Sequence, residues 1–288
     1  LNKLNYKVFI FSKSKNKIKL TNKKIKLNYI YSLKHLNRYE FVILANATCE
    51  RMKYLKILVK NRMNIYCEKP IYHKKFNYVS LIKNIKKNKI LFFTGYQLLQ
   101  HEKIQFLKRT LKKEKVLSFN MEVGHNLEKW RSGKINNKRY FLNKNKGGGV
   151  IFELIHEINL IQNLFGKIIF IKSLKKKSKK INNFEDLVVS LIKVKNDIVG
   201  LLHQDMISNV PYRRIKILTK NKLFNLNIAQ NIFKINDKKF KFKVSNNTHQ
   251  VLLKKNLMLF IKLLKNKTRT TAYLEQSISD LKIALKMH

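Results

Sequence analysis

Apolar and polar positions in the first third of the chain follow two rhythms. Short dense runs, Lys7–Phe11 (KVFIF) and Phe41–Ala45 (FVILA), carry the β-branched and aromatic residues of buried strands. Between such runs the period lengthens, and Glu50–Arg62 places Met52, Leu55, Leu58 and Val59 at helical spacing. Asn64–Cys67 then reads as a strand, Asn77–Lys87 as a helix and Lys89–Thr94 as a further strand. Strands separated by helices of about a dozen residues predict right-handed βαβ crossovers and a buried parallel sheet.

Beyond Gly95 the texture changes. Leu98–Lys113 is predicted helical, and Val116–Val123 alternates as a half-buried strand. The polar stretch His125–Lys146 leads into Gly147-Gly148-Gly149, and Val150–Phe165 is predicted to form one helix stopped by Gly166. Strand-length runs follow at Ile168–Leu174, Leu187–Lys195, Ile198–Gln204, Arg214–Thr219, Leu223–Ile228 and Asn231–Ile235. Asn196-Asp197 and Lys220-Asn221 supply the tight turns of antiparallel hairpins. Helices at Val251–Asn266 and Leu274–Met287 close the chain. The expected class is α/β: a parallel-sheet domain over residues 1–95, then an α+β domain over 96–288 with a mostly antiparallel sheet and C-terminal helices.

Composition sharpens this picture in two ways. The 288 residues include 63 Lys+Arg against 16 Asp+Glu, a net charge of +47. The cations are scattered through every segment and alternate with Asn and Ile, as an AT-rich coding bias produces. No zinc-ligand spacing, aromatic RNA-binding signature or helix-turn-helix pattern accompanies them, so no specific nucleic-acid partner and no metal site is expected. The charge still attracts anionic ligands in a salt-dependent manner. Two cysteines, Cys49 and Cys67, provide no disulfide framework and fit a reducing compartment. No apolar run reaches the ~18 residues of a membrane span, and no leader opens the chain, so a cytoplasmic protein is expected.

Two constellations carry chemistry. Glu68-Lys69-Pro70 follows the Asn64–Cys67 strand and sets a carboxylate and an ammonium at the carboxyl end of a parallel strand, where open α/β sheets bind ligands. The same residues also fit a solvated strand end. The second is Gly147–Asn159: three glycines before a helix expose backbone N–H groups to a ligand. Glu153, His156 and Asn159 then recur at i, i+3 and i+6 on one sector of that helix. A histidine one turn after a carboxylate suits a general base, and equally a buried histidine bonded to backbone.

In this order, the pieces resemble the glucose–fructose oxidoreductase / inositol dehydrogenase (Gfo/Idh/MocA) family over nearly the whole chain. Phe41–Thr48 resembles the family's fourth-strand end, Glu68-Lys69-Pro70 its signature tripeptide, and Gly95-Tyr96-Gln97 its crossing between domains. Trp130-Arg131 resembles its substrate-loop pair, and Gly147–Asn159 its Gly-Gly-Gly…Asp…His…Asp helix. His203-Gln204-Asp205, Arg213-Arg214 and the closing helices also fall in register. The resemblance implies a Rossmann-type domain and NAD- or NADP-dependent hydride transfer at a hydroxyl or carbonyl of a sugar, sugar nucleotide or polyol, in sugar or surface-polysaccharide metabolism. It implies Lys69 and His156 as catalytic residues and Ala45, Asn46, Ala47, Glu68, Lys69 and Gln97 at the cofactor. Tyr96, Trp130, Arg131, Glu153, His156 and Asn159 would meet the substrate, and the open antiparallel sheet would join a homo-oligomer.

Three departures mark the chain. No glycine precedes Gly95, so the glycine-rich strand-turn-helix of the family, roughly 25 to 30 residues, is missing and the sequence opens near the second strand. Glu153 and Asn159 each stand where the family has Asp, and Leu99 where it commonly has Arg. The alternative expectation is a non-catalytic descendant that binds a sugar nucleotide or a protein partner.

Overall fold

A computed structural model describes residues 6–11, 28–127, 140–178, 184–240 and 248–288. The chain divides into two compact units, Leu1–Glu40 and Phe41–His288. In the first, β1 (Phe9–Phe11) runs parallel to β2 (Asn28–Ile30). The second of these strands has no counterpart in the sequence reading, because three residues among lysines and asparagines are too short to show a period.

The second unit opens with a parallel sheet in the order β3 (Phe41–Leu44), β4 (Asn64–Cys67), β5 (Phe92–Thr94). Helices α1 (Thr48–Lys60) and α2 (Tyr78–Lys87) make the crossovers, and α1 buries Leu55, Leu58 and Val59. The helix expected from Leu98 begins instead at Glu102, as α3 (Glu102–Leu111). A 3-10 turn at Gln97–Gln100 precedes it, and His101 caps it, its Nδ1 accepting from the Lys103 amide at 3.3 Å.

An eight-stranded sheet follows. Its strands are β6 (Val116–Asn126), β7 (Ile168–Lys176), β8 (Leu187–Val194), β9 (Ile198–Asp205), β10 (Ile207–Thr219), β11 (Leu223–Asn227), β12 (Ile232–Ile235) and β13 (Lys238–Lys239). The order is β13-β12-β11-β10-β6-β9-β8-β7, antiparallel throughout except between β6 and β9. The Asn196-Asp197 turn is the expected hairpin, with φ of 74° and 62°, as a type I′ turn requires.

The helix predicted over Val150–Phe165 is two helices, α4 (Val150–Glu153) and α5 (His156–Phe165), with Leu154 and Ile155 between them. Helix α5 packs on the inner face of the large sheet, where Phe165 stacks on Phe119 with centroids 4.5 Å apart. Helices α6 (His249–Lys265) and α7 (Ala272–Met287) complete the unit. Phe260 of α6 meets Tyr66 and Phe93 of the parallel sheet, and Ser277 of α7 meets Thr94 at the end of β5. Among the described residues no helix is long and apolar enough to cross a membrane.

Candidate functional site

The break between α4 and α5 builds the centre of the site. A continuous helix would bond the Glu153 carbonyl to the Glu157 amide; here that amide turns to the Leu154 carbonyl at 3.4 Å. The Lys69 ammonium instead donates to the Glu153 carbonyl at 2.6 Å, and the Gln204 amide donates to the Leu154 carbonyl at 2.8 Å. Lys69, at the end of β4, is thereby fixed against the segment that presents His156. The two catalytic candidates, 87 positions apart in the chain, come to one place.

His156 is 6% exposed, and its Nδ1 is buried with no hydrogen-bond partner among the described residues. The Tyr96 ring lies edge-on to it, with centroids 5.7 Å apart. Burial drives its pKa well below the ordinary value, and the charges of Lys69, Arg213 and His249 push the same way. The imidazole is therefore neutral at physiological pH, the form in which it can accept a proton.

Arg51 fixes the loops on the parallel-sheet side. It is buried in α1 and donates from Nη1 to the Glu68 carbonyl at 2.8 Å and to the Pro70 carbonyl, and from Nη2 to the Asn46 carbonyl at 2.6 Å. The ends of β3 and β4 are thus tied by one guanidinium. Glu68 beside them has its pKa raised, because burial outweighs the nearby Lys69 and Arg51 cations. Ala45, Asn46 and Ala47 lead from β3 into α1, whose first amides have no side-chain cap. Both polar atoms of the Asn46 side chain are buried and unpartnered among the described residues, as is Gln97 Oε1. Orphaned amide groups at the carboxyl ends of parallel strands suit a polar ligand such as a nicotinamide and its ribose.

Other candidates are placed differently. The Asn159 amide donates to Asp280 of α7 at 2.8 Å, beside Gln162 at 2.7 Å and Gln276 at 2.9 Å. Burial raises the Asp280 pKa to about 6 against the pull of those donors. The Tyr96 hydroxyl faces Asp280 and Ser277, and burial together with the Asp280 charge holds its pKa well above the usual value. Glu153 is buried at the helix break. Trp130 and Arg131 lie outside the described residues.

The glycine run corrects the sequence reading. The amides of Gly147, Gly148 and Gly149 are bonded to the carbonyls of Lys144, Asn143 and Phe141, so they are not presented to a ligand. Glycine is needed for close packing: a Cβ on Gly148 would sit 2.3 Å from the Phe141 carbonyl oxygen, and one on Gly147 2.7 Å from His73 Cβ.

Sequence reading missed Arg51, Glu157, His249 and Asp280. The signal was a charge inside an apolar stripe: Arg51 lies four and seven positions before Leu55 and Leu58, and Asp280 lies between the buried Ile278 and Leu281. Among the described residues no group of three His, Cys, Asp or Glu side chains could hold a metal.

No protein-family model and no curated protein matches the chain. Solved structures do. UDP-N-acetylglucosamine 3-dehydrogenase GnnA from Acidithiobacillus ferrooxidans superposes with a TM-score of 0.76 at 14% identity, over 91% of this chain and 82% of that one. Levoglucosan dehydrogenase, in complex with NADH, gives 0.79 at 11% identity over 90% and 80%. The WlbA dehydrogenase from Bordetella pertussis, in complex with NADH and UDP-GlcNAcA, gives 0.73 at 12% identity over 91% and 80%. The chain has the fold of these sugar and sugar-nucleotide dehydrogenases, and the resemblance to the Gfo/Idh/MocA family holds at the level of the fold.

Proposed function

We propose that this chain is an oxidoreductase that transfers hydride between NAD or NADP and a hydroxyl or carbonyl carbon of a sugar, sugar nucleotide or polyol, in sugar or surface-polysaccharide metabolism. The observation that carries this reading is that Lys69 is anchored at the helix break before a neutral His156, whose Nδ1 has no hydrogen-bond partner among the described residues, beside the carboxyl edge of a parallel sheet. The ligands named for the neighbours, NADH, levoglucosan and UDP-GlcNAcA, support it.

In the oxidative direction His156 accepts the hydroxyl proton. The Lys69 ammonium donates a hydrogen bond to the same oxygen and stabilises its developing negative charge, a contribution of roughly 3 kcal/mol in comparable oxyanion sites. Bound, a nicotinamide dinucleotide supplies the hydride acceptor. Ala45, Asn46, Ala47, Glu68, Lys69 and Gln97 would hold it, with the orphaned amides of Asn46 and Gln97 as its hydrogen-bonding partners. The cofactor thus belongs to the 1–95 domain and the substrate to the 96–288 domain. Tyr96 and Glu153 border the substrate, and Asn159 acts from behind by holding α5 to Asp280.

The outer face of the large sheet leaves Phe170, Leu191, Val199, Leu201 and Leu218 exposed. A second copy of the chain covers this flat apolar face, forming a two-fold interface. Two unpaired cysteines and dinucleotide chemistry support a cytoplasmic setting.

The test is a titration with NADH and NADPH at low salt, following nicotinamide fluorescence, then a screen of sugars, UDP-sugars and polyols for NAD(P) reduction. Saturable binding and turnover with at least one compound are expected. Absence of saturable binding by either cofactor defeats the reading.

A further inference from the structure

Arg213 is the one cation facing His156 from the large sheet, among the described residues. It projects from the inner face of β10, opposite Val123 of β6. Its Nε donates to Glu157 Oε1 at 2.7 Å, and Glu157 is fully buried next to His156 on α5. Among the described residues the terminal nitrogens of Arg213 have no hydrogen-bond partner, although its side chain is only 16% exposed. The next residue supplies a contrast. Arg214 stands on the outer face, 57% exposed, 3.7 Å from Glu122.

Among the described residues, Glu157 is the one carboxylate hydrogen-bonded to Arg213. His101, His125 and His156 all feel its positive charge: burial, with Lys103 ahead of Arg213, holds His101 near pKa 4, burial and Arg213 hold His125 near 4, and burial, Lys69 and Arg213 hold His156 well below its usual value. Asp205, near His125, is taken by Tyr212, Ser208 and His203. Glu157 offsets a single charge, and Lys69 adds another cation that acts on His156. A buried carboxylate thus holds one edge of a guanidinium, while its remaining nitrogens are left for an oxyanion. Arginine's planar fork binds carboxylate and phosphate through two parallel hydrogen bonds.

The geometry points to Arg213, held by Glu157, as the residue that selects substrates carrying an anionic group, phosphate or carboxylate, alongside the carbon placed at His156 and Lys69. This inference rests on the Lys69–His156 site being the substrate site, and it adds a residue and a charge requirement to that reading.

Calorimetric titration of the full chain at ~150 mM salt, where long-range attraction is screened, tests it with three probes: glucose, glucuronate and UDP-glucose. Wild type should bind at least one charged probe ~10-fold or more tightly than glucose. R213Q should lose that preference, R213K should keep part of it, and R214Q, the same charge change on the opposite face, should keep all of it. Loss confined to glucuronate identifies a carboxylate, and loss confined to UDP-glucose a diphosphate. If R213Q unfolds because Glu157 is left buried and unpaired, the E157Q/R213Q double variant carries the test. The proposal is overturned if wild type shows no preference, if the R213 variants keep it, or if R214Q loses as much. NADH titrated into the same proteins separates the two claims. Saturable NADH binding with an unchanged anion preference in R213Q sinks the anchor alone, whereas no NADH binding with an Arg213-dependent preference sinks the dinucleotide reading alone.

Discussion

Within α5, one turn separates polar side chains with opposite fates. Asn159 and Gln162 are buried and both donate to Asp280, which also accepts from Gln276. His156, as deeply buried at the start of the same helix, has an Nδ1 with no partner among the described residues and cations around it. Burying a polar group costs free energy in both places. On the Asp280 side that cost is returned as hydrogen bonds that lock α5 to α7; on the His156 side it is not returned, and the unsatisfied group is what a substrate can complete. The satisfied network is architecture, and the unsatisfied one is the candidate site.

The comparison breaks most directly at His156. H156N should lower turnover by ~10²–10⁴ with NADH still binding, and leave the unfolding free energy within about 1 kcal/mol of wild type. Steady-state rates and urea melts check both halves. A large stability loss with little change in rate would reverse the assignment of the two sides.

Asp280→Ala should do the opposite. It leaves the Asn159, Gln162 and Gln276 donors facing an apolar methyl, at a cost of about 3 kcal/mol in urea unfolding. NADH affinity of the folded protein should change less than threefold.

The charge on Asp280 sharpens the contrast further. Its folded pKa, about 6, lies above the 3.8 of a free side chain. Its contribution to stability is therefore full below pH ~4 and is lost as pH rises through ~6. The stability of D280N relative to wild type should rise across that window by ~3 kcal/mol, whatever the offset between the two proteins at low pH. A difference curve flat from pH 4 to 7 would show that Asp280 is not ionised against its burial.

Much of this arrangement was legible in the sequence. Phe41–Ala45 and Asn64–Cys67 announce parallel strands because their β-branched and aromatic runs are bracketed by helical periods. The positions of Lys69 after a strand and His156 after a glycine run mark them as candidates, and the family resemblance implies their catalytic roles. The break before His156 was not legible, since the apolar pattern of Val150–Phe165 runs through it without interruption. Distant partners, Lys69 and Gln204, take the carbonyls released there. Asn159 looked like a ligand for the same reason: its partner Asp280 is 121 positions away. Local spacing shows which face a residue occupies, and the fold decides what that face meets.

The convergence of Lys69 and His156 is best measured at the imidazole itself. Two-dimensional NMR of ¹⁵N-histidine protein, with the His156 signals identified by their loss in H156N, gives its titration in wild type and in K69M. The wild-type ring should stay neutral to a pH well below the ordinary 6.5, and removing the Lys69 charge should move its midpoint upward. A wild-type midpoint near 6.5, or one that K69M leaves unmoved, would contradict a shared site.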